Sequence, residues 1–500
     1  MPSRLLDLHP HPSSTALDLR LVVNVHTHAP YIALSHCWGR SQPLRLLRSS
    51  YDEFQHTIIY KTLPRTFQDA VTATRALGVR YLWIDSLCII QDSKEDWEEQ
   101  CAETGRIYRC SFATIAGPAA ADCSAGFLHP RPLMREASLT LTDGESRSEL
   151  ALGYLGVDMD LIFLAAEPNA PLSRRAWTFQ ERLLAQRILY FGTRGLYLEC
   201  LTNVRIDSCH HPIESTIFNG AKLSKTRMEE LKGRDECFGY WVSMIQTYSA
   251  LALTKRMDRL PALAGMASEF SRITSTSPYL AGLWRDDLPR GLTWYVNVKS
   301  PASGVLSAEY IAPSWSWAAV DRSVLYVNNL SLEFHPDFDI ADANATPSGL
   351  DPFGTVNGGH IDGSGRVRSL LVRCKSHPDS EPFKVLLVSG CQAALNHVQY
   401  VPDDSSAHIR SKHSAADVTE VFDEVLFLYL GSYAGKYSDL FAVALGIEQV
   451  PGIQSTYRRT GLAFWTVSWA YHLRRNNWAQ DLPKFADCFQ GVDKRQVRII

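Results

Sequence analysis

An α/β fold on a parallel sheet is what this sequence predicts for its N-terminal part, followed by a helical segment and a β-rich C-terminal region. Three observations predict it. Short all-apolar runs at 31–37 and 81–84 read as strands covered on both faces. Helical periodicity fills the space between and after them. Strand, helix, strand, helix in this order is the pattern of a parallel sheet.

The elements follow in chain order. Residues 1–30 read as a lead-in with one strand, Leu19–Val25. The run from Tyr31 ends at Cys37-Trp38-Gly39. A helix spans Leu63 to Leu77, with Phe67, Ala70, Val71, Thr74 and Leu77 on one face and Gly78 as its stop. After Tyr81–Ile84 a second helix is capped by Ser93, with Asp96 at its third position and Trp97, Cys101 and Tyr108 along one side. Phe112–Ala116 reads as a buried strand, Ala176–Ala185 as a helix and Arg187–Phe191 as the strand after it. Residues 131–172 give no clear pattern. Residues 225–272 look mostly helical. Residues 333–365, rich in Asp, Gly, Asn and Pro, read as a loop or linker. Beyond them Val367–Cys374, Lys384–Val388, Val425–Leu430, Leu440–Leu445 and Gly461–Ser468 read as strands. The resulting domains are 1–30, 31–200, 201–332, 333–365 and 366–500. Trp284, Trp294, Trp315 and Trp317 are too apolar for a loose tail, and 201–332 is expected to pack on the α/β domain.

Composition narrows the function classes. With 45% hydrophobic and 21% charged residues among 500, the chain can bury sizeable cores. A net charge of −3 gives no electrostatic footprint for nucleic acid or acidic lipid. The N-terminus MPSRLLDLHPHPSS lacks the apolar core of a secretory signal, and no run is long and apolar enough for a membrane span. The 11 cysteines are odd in number and include no C-x-x-C pair, which fits reduced thiols in the cytoplasm.

Three groups could carry chemistry. Ser35-His36-Cys37-Trp38-Gly39 ends a strand, where ligands of open α/β sheets bind. Adjacent strand residues face opposite ways, which argues against His36 and Cys37 acting as a nucleophilic pair. Asp85 ends the next strand, either as a turn cap or as a ligand contact. In Arg174-Arg175-Ala176-Trp177-Thr178-Phe179-Gln180-Glu181-Arg182, Trp177 and Glu181 share a helix face. A ring beside a carboxylate can hold a planar group and stabilise a developing cation. The structural alternative pairs Glu181 with Arg182, Arg174 or Arg187 and makes Trp177 core. Cys200, Cys209, His210 and His211 cluster without an accepted zinc spacing, so no metal is expected. Neither phosphate-binding glycine motif is present.

These groups, YIALSHCWG (31–39), YLWIDSLCIIQD (81–92) and SRRAWTFQERLL (173–184), resemble in order and spacing the blocks of the fungal heterokaryon incompatibility (HET) domain family. Leu63-Pro64-Arg65-Thr66, Asp69-Ala70, Leu77-Gly78, Asp96-Trp97 and Ile107-Tyr108 extend the match. Gly282-Leu283-Trp284, Pro313-Ser314-Trp315-Ser316-Trp317-Ala318 and Tyr457-Arg458-Arg459-Thr460-Gly461 resemble segments of its larger members. Ala176 stands where many members have Gly, a mild departure since both are small. The resemblance implies a fungal protein. It implies a role in cell death on fusion of incompatible strains, or one beside secondary-metabolite genes. It also implies a distant likeness to the TIR fold, a flavodoxin-like parallel sheet. In enzymatic TIR domains a Glu after a Trp cleaves NAD at the nicotinamide bond, and Trp177 to Glu181 has that spacing.

The resemblance therefore makes Glu181 the catalytic candidate. Ser35, His36, Trp38, Gly39, Asp85, Arg175 and Trp177 become candidates for holding a small-molecule or nucleotide substrate, with NAD as that substrate and no required cofactor. A biosynthetic enzyme using the same cleft and a non-catalytic interaction module remain the alternatives. Neither nucleic acid nor membrane is expected as a partner, and a homo-oligomer is expected by analogy with TIR-like assemblies.

Overall fold

A computed structural model describes residues 1–9, 17–24, 29–39, 44–130, 136–143, 146–153, 170–193, 195–201, 203–206, 213–214, 227–275, 278–300, 309–327, 333–375, 384–385, 398–403, 420–435, 438–465 and 485–500. They fall into two compact units, Met1–Glu230 and Leu231–Ile500.

The first unit contains strands β1 (Arg4–Asp7), β2 (Arg20–Val23), β3 (Tyr31–Ser35), β4 (Tyr81–Trp83) and β5 (Ala113–Ala116). A separate hairpin follows, β6 (Glu136–Asp143) and β7 (Ser146–Gly153), and then β8 (Arg187–Phe191), β9 (Leu196–Cys200), β10 (Asn203–Ile206) and β11 (Ile213–Glu214). Its helices are α1 (Tyr51–His56), α2 (Arg65–Ala76), α3 (Asp85–Cys88), α4 (Lys94–Cys110) and α5 (Trp177–Leu184). All but the hairpin strands join one sheet in the order β11-β10-β9-β8-β5-β3-β4-β1-β2.

Only its centre is parallel. Strands β4, β3, β5 and β8 run the same way, while β1 and β2 on one side and β9 to β11 on the other are antiparallel. The expected parallel sheet is thus corrected to a mixed one. The reason is local: only residues 192–195 separate β8 from β9, too few for the crossover that parallel neighbours need. The sheet also continues through β10 and β11, past the boundary expected at residue 200.

Every residue of β3, β4 and β5 is buried, so both faces of the central strands are covered. This accounts for their unbroken apolar sequence. The connection from β3 leads to β4 on one side, and the chain then crosses back to β5 on the other side of β3. That reversal falls at the carboxyl ends of β3 and β5, the topological position at which open α/β sheets take ligands.

Several motif residues are spent on positioning this edge. On α2, Thr66 and Asp69 hold the loop after β5: Asp69 Oδ2 accepts the backbone N–H groups of Phe127 (2.7 Å) and Leu128 (3.0 Å). Thr66 Oγ1 accepts the N–H of Gly126 at 3.1 Å. Asp96 near the start of α4 takes a two-pronged ion pair from Arg4 (2.5 and 2.7 Å) and the N–H of Ile90 at 2.7 Å. It thereby ties β1 to the turn that leaves α3. Ser93 caps α4 as expected, its Oγ accepting from the Asp96 N–H.

The second unit begins with helices Arg234–Ser249 and Pro261–Thr274 and continues into a β-rich region. The loop expected over 333–365 is corrected. Strands Glu333–Pro336 and Asp339–Pro347 and the first half of Val356–Lys375 occupy it. They belong to a nine-stranded, largely antiparallel sheet that also contains Glu420–Gly435, Ser438–Gln449 and Thr456–Trp465. The expected strand residues 386–388 and 466–468 lie outside the described residues.

Three tail segments of this unit converge on each other. The indole N–H groups of Trp241 and Trp317 both donate to the Gly282 carbonyl, at 3.0 and 3.1 Å. Trp294 donates to the Trp315 carbonyl at 3.0 Å, and the Arg459 N–H donates to Ser314 Oγ at 3.0 Å. The segments around Gly282, Trp315 and Arg459 are therefore one packed core, and their recurring residues are explained by packing.

Candidate active site at the carboxyl edge of the central strands

Ser35 is the last residue of β3, and the chain leaves the sheet through 36–39. Its hydroxyl donates to Glu181 Oε2 on α5, at 2.5 Å. The buried Tyr108 hydroxyl on α4 donates to the Leu34 carbonyl at 3.1 Å. Arg175, just ahead of α5, donates from Nη1 to the His36 carbonyl at 2.5 Å. From the neighbouring strand end, Asp85 accepts its following N–H (Ser86) at 2.7 Å and the Trp38 indole N–H at 2.8 Å. Asp85 thus serves both as the turn cap and as an anchor for a ring at the site. The His36 imidazole is buried, its Nδ1 3.8 Å from Asp85 Oδ1, beyond hydrogen-bond length.

The electrostatics set these groups apart. Burial pushes the Glu181 carboxyl up to about 7, with the Asp85 charge adding to the rise. The Ser35 hydrogen bond, the Arg175 charge and the Tyr108 hydroxyl pull the other way. Near neutral pH this carboxyl therefore exchanges its proton, a state suited to acid–base work. Burial holds the His36 imidazole below its ordinary value against the pull of Asp85, which keeps it neutral. Burial also raises the Cys37 thiol. The thiolate that a nucleophile needs is disfavoured there.

The structure brings Ser35, His36, Trp38, Asp85, Arg175 and Glu181 to one edge. Of the arginines that could have neutralised Glu181 in a purely structural role, Arg182 pairs with Glu199 at 3.2 Å. Arg187 donates to the Phe112 carbonyl at 3.1 Å. Trp177 opens α5 one turn ahead of Glu181 and is partly exposed. Tyr108 was not among the sequence candidates. In the sequence it lies along one side of a helix with Trp97 and Cys101 and so reads as core. Its one distinguishing signal is a phenol tip, which seeks a polar partner when buried.

Gly39 contributes backbone rather than a side chain. Its φ is +75°, and an added Cβ would lie 2.1 Å from the Asp122 Cβ. Gly39→Ala should therefore cost roughly 1–3 kcal/mol of stability and displace the Trp38 ring. Thermal unfolding checks this, and an unchanged melting temperature would show that the segment can move away from Asp122.

Among the described residues no group of three or more His, Cys, Asp or Glu could hold a metal ion. Cys209, His210 and His211 lie outside the described residues. Cys37, Cys88, Cys110 and Cys237 take part in no disulfide. No described helix is long and apolar enough to cross a membrane.

Fold and site together define an α/β domain with a carboxyl–hydroxyl cluster at the ends of its central parallel strands. Residues 31–181 match the family model described as Heterokaryon incompatibility protein (HET), and the chain carries a HET domain over these residues. No curated protein and no solved structure matches the chain in these comparisons.

Proposed function

We propose that the first unit is a TIR-like NAD glycohydrolase, whose activity removes NAD in the fungal incompatibility response. The observation that carries this reading is the Ser35–Glu181 contact at the carboxyl end of β3. It puts a carboxyl group with a near-neutral titration point where an α/β sheet takes its ligand. The spatial order of the four parallel strands, second-first-third-fourth in chain sequence, also supports it. A flavodoxin-like sheet begins in the same order.

In this scheme the bond between the ribose C1′ and the nicotinamide nitrogen breaks. Nicotinamide leaves as a neutral molecule with the bonding electron pair, and positive charge develops on the ribose, as in glycoside hydrolysis. The Glu181 carboxylate stabilises that charge. Water then adds at C1′ and releases its proton, giving ADP-ribose, nicotinamide and one proton. A good leaving group makes Lewis-acid assistance unnecessary, so no metal cofactor is required. Arg175 is suited to the pyrophosphate, because a guanidinium pairs with phosphate oxygens two at a time. Among the described residues it has no carboxylate within ion-pair distance. Trp38, fixed by Asp85, and Trp177 offer ring faces to the planar bases, with Gly39 letting the backbone pass close to Asp122 and the buried His36 behind them. By analogy with TIR-like assemblies, the active form is a homo-oligomer in the cytoplasm.

The test is direct. Purified protein is incubated with NAD and nicotinamide is followed by chromatography. Release is expected, and it should increase as pH rises through about 7, where Glu181 becomes ionised. Absence of nicotinamide at every protein concentration and pH would sink the reading.

A further inference from the structure

Ser35 Oγ lies 2.5 Å from Glu181 Oε2. The chain is held on both sides of this contact. Ser35 pairs with Ala116 of β5, the Arg175 guanidinium donates to the His36 carbonyl at 2.5 Å, and Asp85 accepts the Trp38 indole N–H at 2.8 Å. The hydroxyl is thus presented to the carboxyl by a fixed strand end. Only 5% of Ser35 is exposed, but Trp38, Asp85, Arg175 and Glu181 keep part of their surface open to solvent. A serine hydroxyl bonded to a carboxyl that titrates near neutral pH is the arrangement of a nucleophile and its base. Cys37, two residues further on, is the weaker nucleophile here, because burial pushes its thiol up.

We propose that Ser35 is a site of self-modification, its hydroxyl oxygen capturing the ribose C1′ that Glu181 activates and leaving an ADP-ribosyl group on the chain. This inference rests on the glycohydrolase reading and adds an acceptor other than water. The bond between C1′ and the nicotinamide nitrogen breaks, and its electron pair leaves with nicotinamide. Ser35 Oγ bonds to C1′, and its proton passes to the Glu181 carboxylate and on to solvent. NAD and the chain thus give nicotinamide, one proton and ADP-ribosyl-Ser35. A carboxylate close enough to stabilise charge at C1′ brings the hydroxyl bound to it towards the same carbon. That hydroxyl is already in place, whereas water must arrive by diffusion, and tethering of this kind greatly favours the intramolecular acceptor. The product is a glycoside of an alkoxide, a poor leaving group, so it persists. A modified chain has lost the free hydroxyl and carries the sugar beside Glu181, so the site limits its own consumption of NAD.

The full chain is incubated with NAD above the titration point of Glu181, with nicotinamide followed by chromatography and the chain by intact mass measurement. The chain should gain the mass of one ADP-ribosyl group, in step with a decline in nicotinamide release. Peptide fragmentation that spares the glycoside should place the group on Ser35. Neutral hydroxylamine should leave it there, since that reagent cleaves glycosyl esters of carboxylates and spares glycosides of serine. Ser35→Ala and Glu181→Gln should each lose the modification, and the mapping on the unaltered chain serves even if Ser35→Ala does not fold. Nicotinamide released while Ser35 stays unmodified overturns the proposal and leaves the glycohydrolase reading in place. A group found on Glu181 and lost to hydroxylamine overturns it too, because the carboxylate is then the nucleophile. Absence of nicotinamide removes the glycohydrolase reading, and this inference with it.

Discussion

Glu181→Gln should lower NAD cleavage by about a hundredfold or more while leaving the melting temperature within a few degrees of the unaltered protein. The substitution keeps the shape and a hydrogen-bond acceptor for Ser35, and it removes the charge. The pH dependence of stability gives a second, independent reading. The Glu181 carboxyl titrates near 4.5 when unperturbed and is pushed up to about 7 in the fold by burial. A carboxyl raised in this way favours folding at low pH, where it is protonated in both states. It loses that contribution as pH rises from the unfolded value through the folded one. Above about pH 7 the Gln variant should therefore match or exceed the unaltered protein in melting temperature. A Gln variant that is active, or one that is markedly unstable at pH 8, would mean that Glu181 serves the fold.

Arg459→Leu should have the largest effect on stability. The Arg459 side chain is completely buried. It pairs with Asp403 at 2.7 Å, donates to the carbonyls of Leu292 (2.8 Å) and Trp294 (2.5 Å), and lies 3.2 Å over the Trp294 ring. Removing it leaves Asp403 as an uncompensated, largely buried charge, at a cost of about 3–5 kcal/mol. Urea unfolding followed by tryptophan fluorescence measures this loss. The double variant with Asp403→Leu should recover part of it, since the stranded charge goes too. A single variant as stable as the unaltered protein would show that water reaches Asp403.

These two residues differ in how far the sequence foretold them. Glu181 was legible through the spacing from Trp177 and the resemblance of its block to the HET domain. Arg459 was visible only as part of a recurring segment, with no hint of what it touches. Its partners lie in segments 56 to 167 residues away in the chain, and nothing in local periodicity encodes such contacts. The strands over 333–365 were misread for a related reason. Their residues are largely small, polar and exposed, which resembles a loop. Yet an added Cβ at Gly363 would meet the Phe338 ring at 2.6 Å. The small residue is there because a ring packs against the strand, and glycine in a strand often marks such an approach.

By itself the sequence determined the succession of the four parallel strands and of α2, α4 and α5, though not the hairpin between β5 and α5, because buried parallel strands and amphipathic helices impose different periodicities on the chain. It determined as well that Ser35 ends a strand, that Asp85 lies just beyond one, and that Glu181 rides a helix. The tertiary structure decided what those residues meet. Ser35 and Glu181 are 146 residues apart and touch only because β3, β5 and β8 stack side by side. The structure also pairs Arg182 with Glu199. Each of these choices depends on which side chains share one small volume and which charges water still reaches. That geometry arises from the whole sheet, and no local stretch of residues contains it.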